Sequence, residues 1–155
     1  MYYSKSNMNT VELNRLFVNP YTQKYFIGTF PSCIPVRSRK KKYAFIMNTE
    51  SHEERGDHWV AWWVNNGHAI FFDSFGRPPT HQSFPIEFSK ISKKYKTCKY
   101  VRRQIQLPGT TSCGHYCFHF VYTMCSGMSV RDFLSKYKNI YHNDYIVRKL
   151  VESIR

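Results

Sequence analysis

Apolar positions along the chain change their period several times, and each change marks an element. "NTVELNRLFVNP" reads as a short helix: Asn9 and Glu12 fit a capping box, Val11, Leu13, Leu16 and Phe17 supply apolar positions, and Pro20 ends it. "YAFIMN", Tyr43 to Asn48, is a buried strand. "HWVAWWV" and "HAIFFDSF" are aromatic and β-branched runs separated by "NNG", and Asn-Gly is the strongest short hairpin cue because both turn positions need positive φ. With a two-residue turn at Asn66-Gly67, Val64 pairs with Ala69, and counting back sets His58 opposite Phe75. Asp73 then falls on the face of His58 as its diagonal neighbour, whereas a one-residue slip would separate them. "RPPTHQSFP" is loop by its prolines, "EFSKISKKYK" a basic helix and "CKYVRRQIQ" a strand. "LPGTTS" interrupts before a helix that begins near Ser112 and that Gly127 ends. Helices around Ser129 to Tyr137 and Asp144 to Ile154 complete an α+β pattern, with no internal repeat or linker to divide residues 1–155 into more than a single domain.

Composition sharpens this picture in one respect. A chain 42% hydrophobic and 17% aromatic builds a core, and no apolar run is long enough to span a membrane. "MYYSKSNMNT" lacks the apolar stretch of a secretory signal, which points to an intracellular protein. Five cysteines at irregular spacing do not read as a disulfide framework. The formal net charge of +13 is the loudest signal, concentrated in "RSRKKK", Arg37 to Lys42, and from Lys90 to Arg103. A polyanion partner, most simply nucleic acid, follows from electrostatics. The alternatives for "RSRKKK" are a soluble basic surface or a nuclear import signal.

Candidate chemistry centres on "TTSCGHYCFHF", Thr110 to Phe120. Cys113 with Cys117, and His115 with His119, are each four residues apart, but on a helix the two pairs point about 200° apart, so one ion cannot gather all four. Cys113 sits instead where a polar loop turns into a helix, and there the helix dipole and a nearby imidazolium favour a thiolate. Unpaired N–H groups of the first helical turn are suited to a developing oxyanion. Cys117 and Cys125 fall deeper in the apolar stripe and read as core. His58 with Asp73 supplies the oriented base that nucleophilic catalysis requires. His52, His68, His81 and His142 have no such partner and read as surface or turn residues.

Four blocks of the chain resemble the adenain-type cysteine endopeptidases of adenoviruses, related viruses and Maverick/Polinton-type elements. "YFIGTFPSCIP" is similar to that family's N-terminal "YFLGT" segment, and "NTESHEERGDHWVAWW" to its block with the catalytic histidine. "FFDSFG" matches the block with the catalytic acid, and "QLPGTTSCGHYC" the block with an oxyanion-hole glutamine and the nucleophile. The resemblance runs from about residue 25 to 125, in the order His, acid, Gln, Cys; the chain looks trimmed after Gly127 relative to adenoviral members.

This resemblance implies a papain-like, adenain-like α+β fold with a mixed, mainly antiparallel sheet and the nucleophile at the N-terminus of a central helix. It implies Cys113 as nucleophile, His58 as base, Asp73 as its orienting acid and Gln106 as oxyanion donor. Trp59 either shields the His–Asp pair from water or is an ordinary core aromatic. Substrates would be viral capsid and core precursor proteins cut during virion maturation, by a monomer found in the virion and the host nucleus, with no metal or small-molecule cofactor. Two activators are implied: DNA, for which Arg37, Arg39, Lys40, Lys41, Lys42, Lys93 and Lys94 are candidate contacts, and a viral peptide joined through a disulfide. Cys98 lies roughly where the family's pairing cysteine would be, at a different spacing from the glutamine. Cys33 is a second candidate, and a plain thiol is the alternative for both. Two other readings are a ubiquitin-like-protein-specific protease, which has a similar order of site residues, and a non-catalytic basic DNA-binding module on the same fold.

Overall fold

The computed structural model describes residues 8–49 and 58–154. Its centre is a five-stranded sheet in the order β1-β2-β3-β4-β5, formed by Phe26–Phe30, Lys42–Asn48, Trp59–Asn65, His68–Phe72 and Thr97–Tyr100. The hairpin has the expected register: Val64 pairs with Ala69 and Asn65 with His68 around Asn66-Gly67. Both turn residues have positive φ, 52° and 83°, which is the conformation Asn and Gly adopt at least cost.

β2-β3 and β3-β4 are antiparallel and β1-β2 and β4-β5 parallel, so the sheet is mixed as expected, with the longer ladders antiparallel. A two-residue turn can only reverse the chain, whereas the long segments before β2 and β5 allow crossovers. The strand expected from Cys98 to Gln106 pairs only as far as Tyr100, and Val101 adds a last bond from its N–H to the Phe71 carbonyl at 3.1 Å. β1 was not legible as a strand from its residue pattern; all five of its residues are half-buried, which erases alternation.

β2 and β3 are buried on both faces, so alternate residues enter two separate cores. Ala44, Ile46, Trp59, Ala61, Trp63 and Phe72 face α3 (Cys113–Cys125), together with side chains from α1 (Thr10–Leu16), α4 (Val130–Leu134) and α5 (Ile140–Ile154). Phe45, Val60, Trp62 and Phe71 face Phe88 and Ile91 of α2 (Ile86–Lys93). The Asn9–Glu12 capping box forms at α1, and the expected apolar Leu13, Leu16 and Phe17 are buried while Val11 is exposed. α1 stops at Leu16, short of Pro20, because Asn19 turns the chain: its side chain accepts from the Tyr21 and Thr22 N–H groups and donates to the Leu16 carbonyl. A second capping box, Ser129 with Asp132, starts α4, and α5 begins four residues before the expected Asp144.

Phe72 joins the sheet to the helical layer, stacked on Phe120 at 4.9 Å and edge-on to Phe133 at 5.2 Å. Truncation to Phe72→Ala should cost about 3–5 kcal/mol of unfolding free energy. Urea denaturation followed by tryptophan fluorescence checks this; a loss below about 1 kcal/mol would show that the layers are held elsewhere.

Candidate active site

His58 is the residue before β3 and Asp73 the residue after β4, so the hairpin register alone carries both to the same end of the sheet. The His58 Nε2–H donates to Asp73 Oδ1 at 2.5 Å. Cys113 is the first residue of α3, which packs on β3, and its side chain is hydrogen-bonded to the His58 ring. With Nε2 engaged by Asp73, Nδ1 is the nitrogen left for the sulfur. Asp73, His58 and Cys113 therefore form one connected chain, nearly closed to solvent: Asp73 is 0% and Cys113 1% exposed, and the His58 side chain 14%.

Charges in this chain support each other. Burial works against a charged His58 ring, but the hydrogen bonds and charges of Asp73 and Cys113 outweigh it and raise the pKa from 6.5 to about 9. Burial likewise opposes an ionised Asp73, and the bonds to His58 and Arg77 overcome it, holding the carboxyl below its ordinary range.

Gln106 is also brought to the site, 1% exposed. The Ser74 hydroxyl donates to its Oε1 at 2.5 Å, and the Ser74 carbonyl accepts the Ile105 and Gln106 N–H groups. Its Nε2 donates to Thr110, to the carbonyl at 2.9 Å and to the hydroxyl at 3.1 Å. The amide thus points into the loop that leads to Cys113.

Several participants were not legible in the sequence. Arg77 donates to Asp73 from Nε at 2.7 Å and from its backbone N–H at 3.2 Å, both to Oδ2. Phe75, by contrast, was set opposite His58 by the hairpin register and lies against its ring, centroids 5.2 Å apart. Arg148 on α5 donates from Nε to Ser112 Oγ at 3.1 Å, bracing the residue before Cys113. The signal for Arg77 was its spacing of four from a candidate acid, but a four-residue spacing has meaning only on a helix and this segment is a turn.

Of the other cysteines and histidines, Cys117 and His119 are core residues. Cys117 is fully buried, donates its S–H to the Trp59 carbonyl at 3.3 Å, and has its pKa pushed well up by burial. Burial raises Cys125 to about 12 and also lifts Cys98, which lies on β5 opposite Ala69, while Cys33 is exposed. His119 is buried against the Tyr137 hydroxyl at 2.6 Å, with burial lowering its pKa to about 4. His68 and His81 bond Thr97 and Ser83, His142 is exposed, and His52 lies outside the described residues. Trp59 is built into the core; its indole N–H donates to the Met8 carbonyl at 2.8 Å. Among the described residues no cluster of three or more His, Cys, Asp or Glu is arranged for a metal ion.

Most of the first basic segment and the start of the second converge away from this site, whereas Arg102 and Arg103 lie at its end of the sheet. The Lys41 carbonyl accepts from Asn66 N–H at 2.7 Å, and Lys96 N–H donates to the Gly67 carbonyl at 2.8 Å. Lys40, Lys41, Lys42, Lys93 and Lys94, all exposed, therefore flank or closely precede residues at the hairpin turn, and exposed Arg37 and Arg39 lie on the loop leading to it. At a strand rise of about 3.3 Å per residue, the turn is roughly 25 Å from His58.

A mixed five-stranded sheet with a buried cysteine opening a central helix beside a His–Asp pair defines the α+β, papain-like cysteine protease fold. Among solved structures, an ASFV protease superposes with a TM-score of 0.60 at 16% identity, covering 96% of this chain and 67% of that one. ChlaDub1 from Chlamydia trachomatis gives 0.51 at 15% identity, over 75% of this chain and 60% of that one. In sequence, the chain is distantly homologous to a thiol protease of Acanthamoeba polyphaga mimivirus, 29% identical over 148 residues, covering 77% of this chain and 48% of the relative. The bovine adenovirus 2 protease is 29% identical over 110 residues, covering 63% of this chain and 54% of the relative. The chain thus spans about half the length of these curated relatives. No protein-family model matches it.

The raised pKa of His58 has a consequence for stability. A group whose pKa rises on folding contributes stability that is complete below its unfolded value and disappears as pH passes the folded one. Thermal stability should therefore fall between pH 6.5 and about 9, by more in the unaltered protein than in His58→Gln. Parallel melting curves across this range check it; superimposable pH dependence in the two proteins would remove the coupling.

Proposed function

We propose that this protein is a cysteine endopeptidase. The observation that carries the reading is the continuous Asp73–His58–Cys113 chain with the sulfur at the N-terminus of α3. With the ring protonated, Cys113 reacts as a thiolate on the scissile carbonyl. The carbonyl carbon gains the sulfur and its oxygen becomes an oxyanion. His58 Nδ1 then gives its proton to the leaving amine, producing an acyl-enzyme that water hydrolyses with His58 as base. Asp73 holds the ring through Nε2 and balances its charge.

The oxyanion is met by N–H groups of the first turn of α3 and by the Gln106 amide. Gln106 reaches it when Thr110, its present acceptor, yields one of the two bonds. Arg148 braces the Ser112 step of the same loop. A non-catalytic module would have no need to bury an acid, a base and a thiol in one hydrogen-bonded series.

The resemblance to viral proteases supports viral structural precursor proteins as substrates, cut within the virion and the host nucleus by a monomer. The exposed lysines and arginines at the turn end support DNA as a stimulating partner. A viral peptide joined at Cys98 or Cys33 is the remaining activator implied, and of the two only Cys33 is exposed.

Cys113→Ala should abolish cleavage of the viral capsid precursors with the fold intact, whereas Cys117→Ala should retain measurable turnover; gel analysis with sequencing of new termini reads both. Full activity of Cys113→Ala, or complete loss in a folded Cys117→Ala, would overturn the assignment. Stimulation by DNA should fall steeply between 50 and 200 mM salt, roughly tenfold or more, as released counterions cease to favour binding. Cleavage assays across that range with duplex DNA check this; salt-independent stimulation would argue against phosphate contacts.

A further inference from the structure

Both oxygens of a fully buried carboxylate are occupied at this site, and only one of them by the histidine. Arg77 takes the other, with Nε at 2.7 Å and backbone N–H at 3.2 Å from Oδ2, and its Nη2 is 3.4 Å from Oδ1. The guanidinium is itself fixed. Nη1 donates to Ser83 Oγ at 3.2 Å, and the group lies over the rings of Phe84 at 4.5 Å and Phe75 at 5.3 Å. Phe75 in turn packs on His58, so one arginine braces the acid directly and the base through an aromatic ring.

We propose that Arg77 is a positioning residue for the proteolysis, supplying a permanent countercharge to Asp73 so that the acid stays aimed at His58 after the ring gives up its proton. The inference rests on the cysteine-protease reading of the site. Its physical basis is the change of charge during turnover. While His58 carries both protons, Asp73 faces a cation; after Nδ1 gives up its proton, Nε2–H still donates but the countercharge is gone. Once the proton passes to the leaving amine, a buried carboxylate facing neutral imidazole would draw a proton or swing away. Arginine remains charged throughout and grips a carboxylate with a planar fork, whereas lysine offers a point charge.

Backbone geometry is arranged for this contact. Gly76 has φ of 77°, and a Cβ there would lie 2.8 Å from the backbone of Arg103 and Gln104. Its N–H bonds the Asp73 carbonyl at 2.8 Å, closing the turn that returns Arg77 to the acid. The titratable groups around Asp73 are His58 ahead of β3, Arg77 on this turn, and Cys113 and Cys117 of α3, the first acting through His58 and the second a buried thiol that the Asp73 charge helps keep protonated.

The test compares Arg77→Ala, Arg77→Gln and Arg77→Lys with the unaltered chain. Peptide cleavage gives kcat and KM against pH, and iodoacetamide gives the alkylation rate of Cys113 against pH without any substrate. Arg77→Ala and Arg77→Gln should lower kcat by up to about 100-fold with KM little changed. In both, the acid limb of the cleavage and alkylation profiles should move to higher pH, since the carboxyl is no longer held low. Arg77→Lys should keep the limb near its original place and recover part of kcat. A folded Arg77→Ala or Arg77→Gln with unchanged kcat and unchanged acid limb would overturn the proposal while leaving the protease intact. If the unaltered protein neither cleaves nor alkylates faster at Cys113 than a free thiol, the protease reading fails and takes this proposal with it.

Discussion

The site depends on one buried negative charge. A carboxylate with no solvent exposure is costly to maintain, and replacing a buried ion pair by apolar groups is often neutral or stabilising. Stability therefore does not explain why Asp73 is an acid. It does explain what surrounds it: His58 on one oxygen, and Arg77 with the chain's own N–H on the other. The hairpin makes the arrangement possible because its register, fixed by a two-residue turn at the far end, decides whether the acid and base share a face at all. A tight turn some eight residues away is in this sense part of the chemistry.

The turn that follows Asp73 organises more than the acid. Ser74 orients Gln106 through its hydroxyl and holds the backbone of Ile105 and Gln106 through its carbonyl. α5 and α3 grip the same segment: Asn143 of α5 donates to the Ile105 carbonyl at 3.0 Å, as does the hydroxyl of Tyr116 of α3 at 3.3 Å, and Tyr116 is shared with Asp144 of α5. Arg148, one turn further along α5, braces Ser112. The segments bearing the amide and the sulfur have few backbone partners of their own, so side chains from a distant helix take over the role that a sheet ladder performs elsewhere. The resemblance stopped at residue 125, and α5 nevertheless holds the site together.

What was legible from sequence had a local cause. The hairpin, its register and the meeting of His58 with Asp73 follow from Asn66-Gly67 and the period-two rule. The Asn9–Glu12 box and the helix beginning near Ser112 follow from residues a few positions apart. What was not legible depends on distant partners. β1 becomes a strand only because β2 offers a parallel edge, and its half-buried residues show no alternation. Arg77 reaches Asp73 only because Gly76 takes a left-handed conformation against the backbone of Arg103, which no pairwise spacing reveals. The basic clusters were visible as charge, but their convergence at the turn required the β2 and β5 pairings.

That convergence constrains how a polyanion could influence turnover. The basic end lies roughly 25 Å from His58 along the hairpin, more than two screening lengths at about 0.1 M salt. Phosphates held there would alter the potential at Cys113 very little. The hairpin between the two ends is buried on both faces, with Trp62 and Phe71 fully enclosed, and gives little room for a graded distortion to travel. On the proposed function, binding at the turn end would act on encounter with substrate, lowering the apparent KM and leaving kcat to the Asp73–His58–Cys113 chain. An activator that raised kcat would have to act at the other end of the sheet, on the Gln106–Thr110 contact or on the loop that α5 braces.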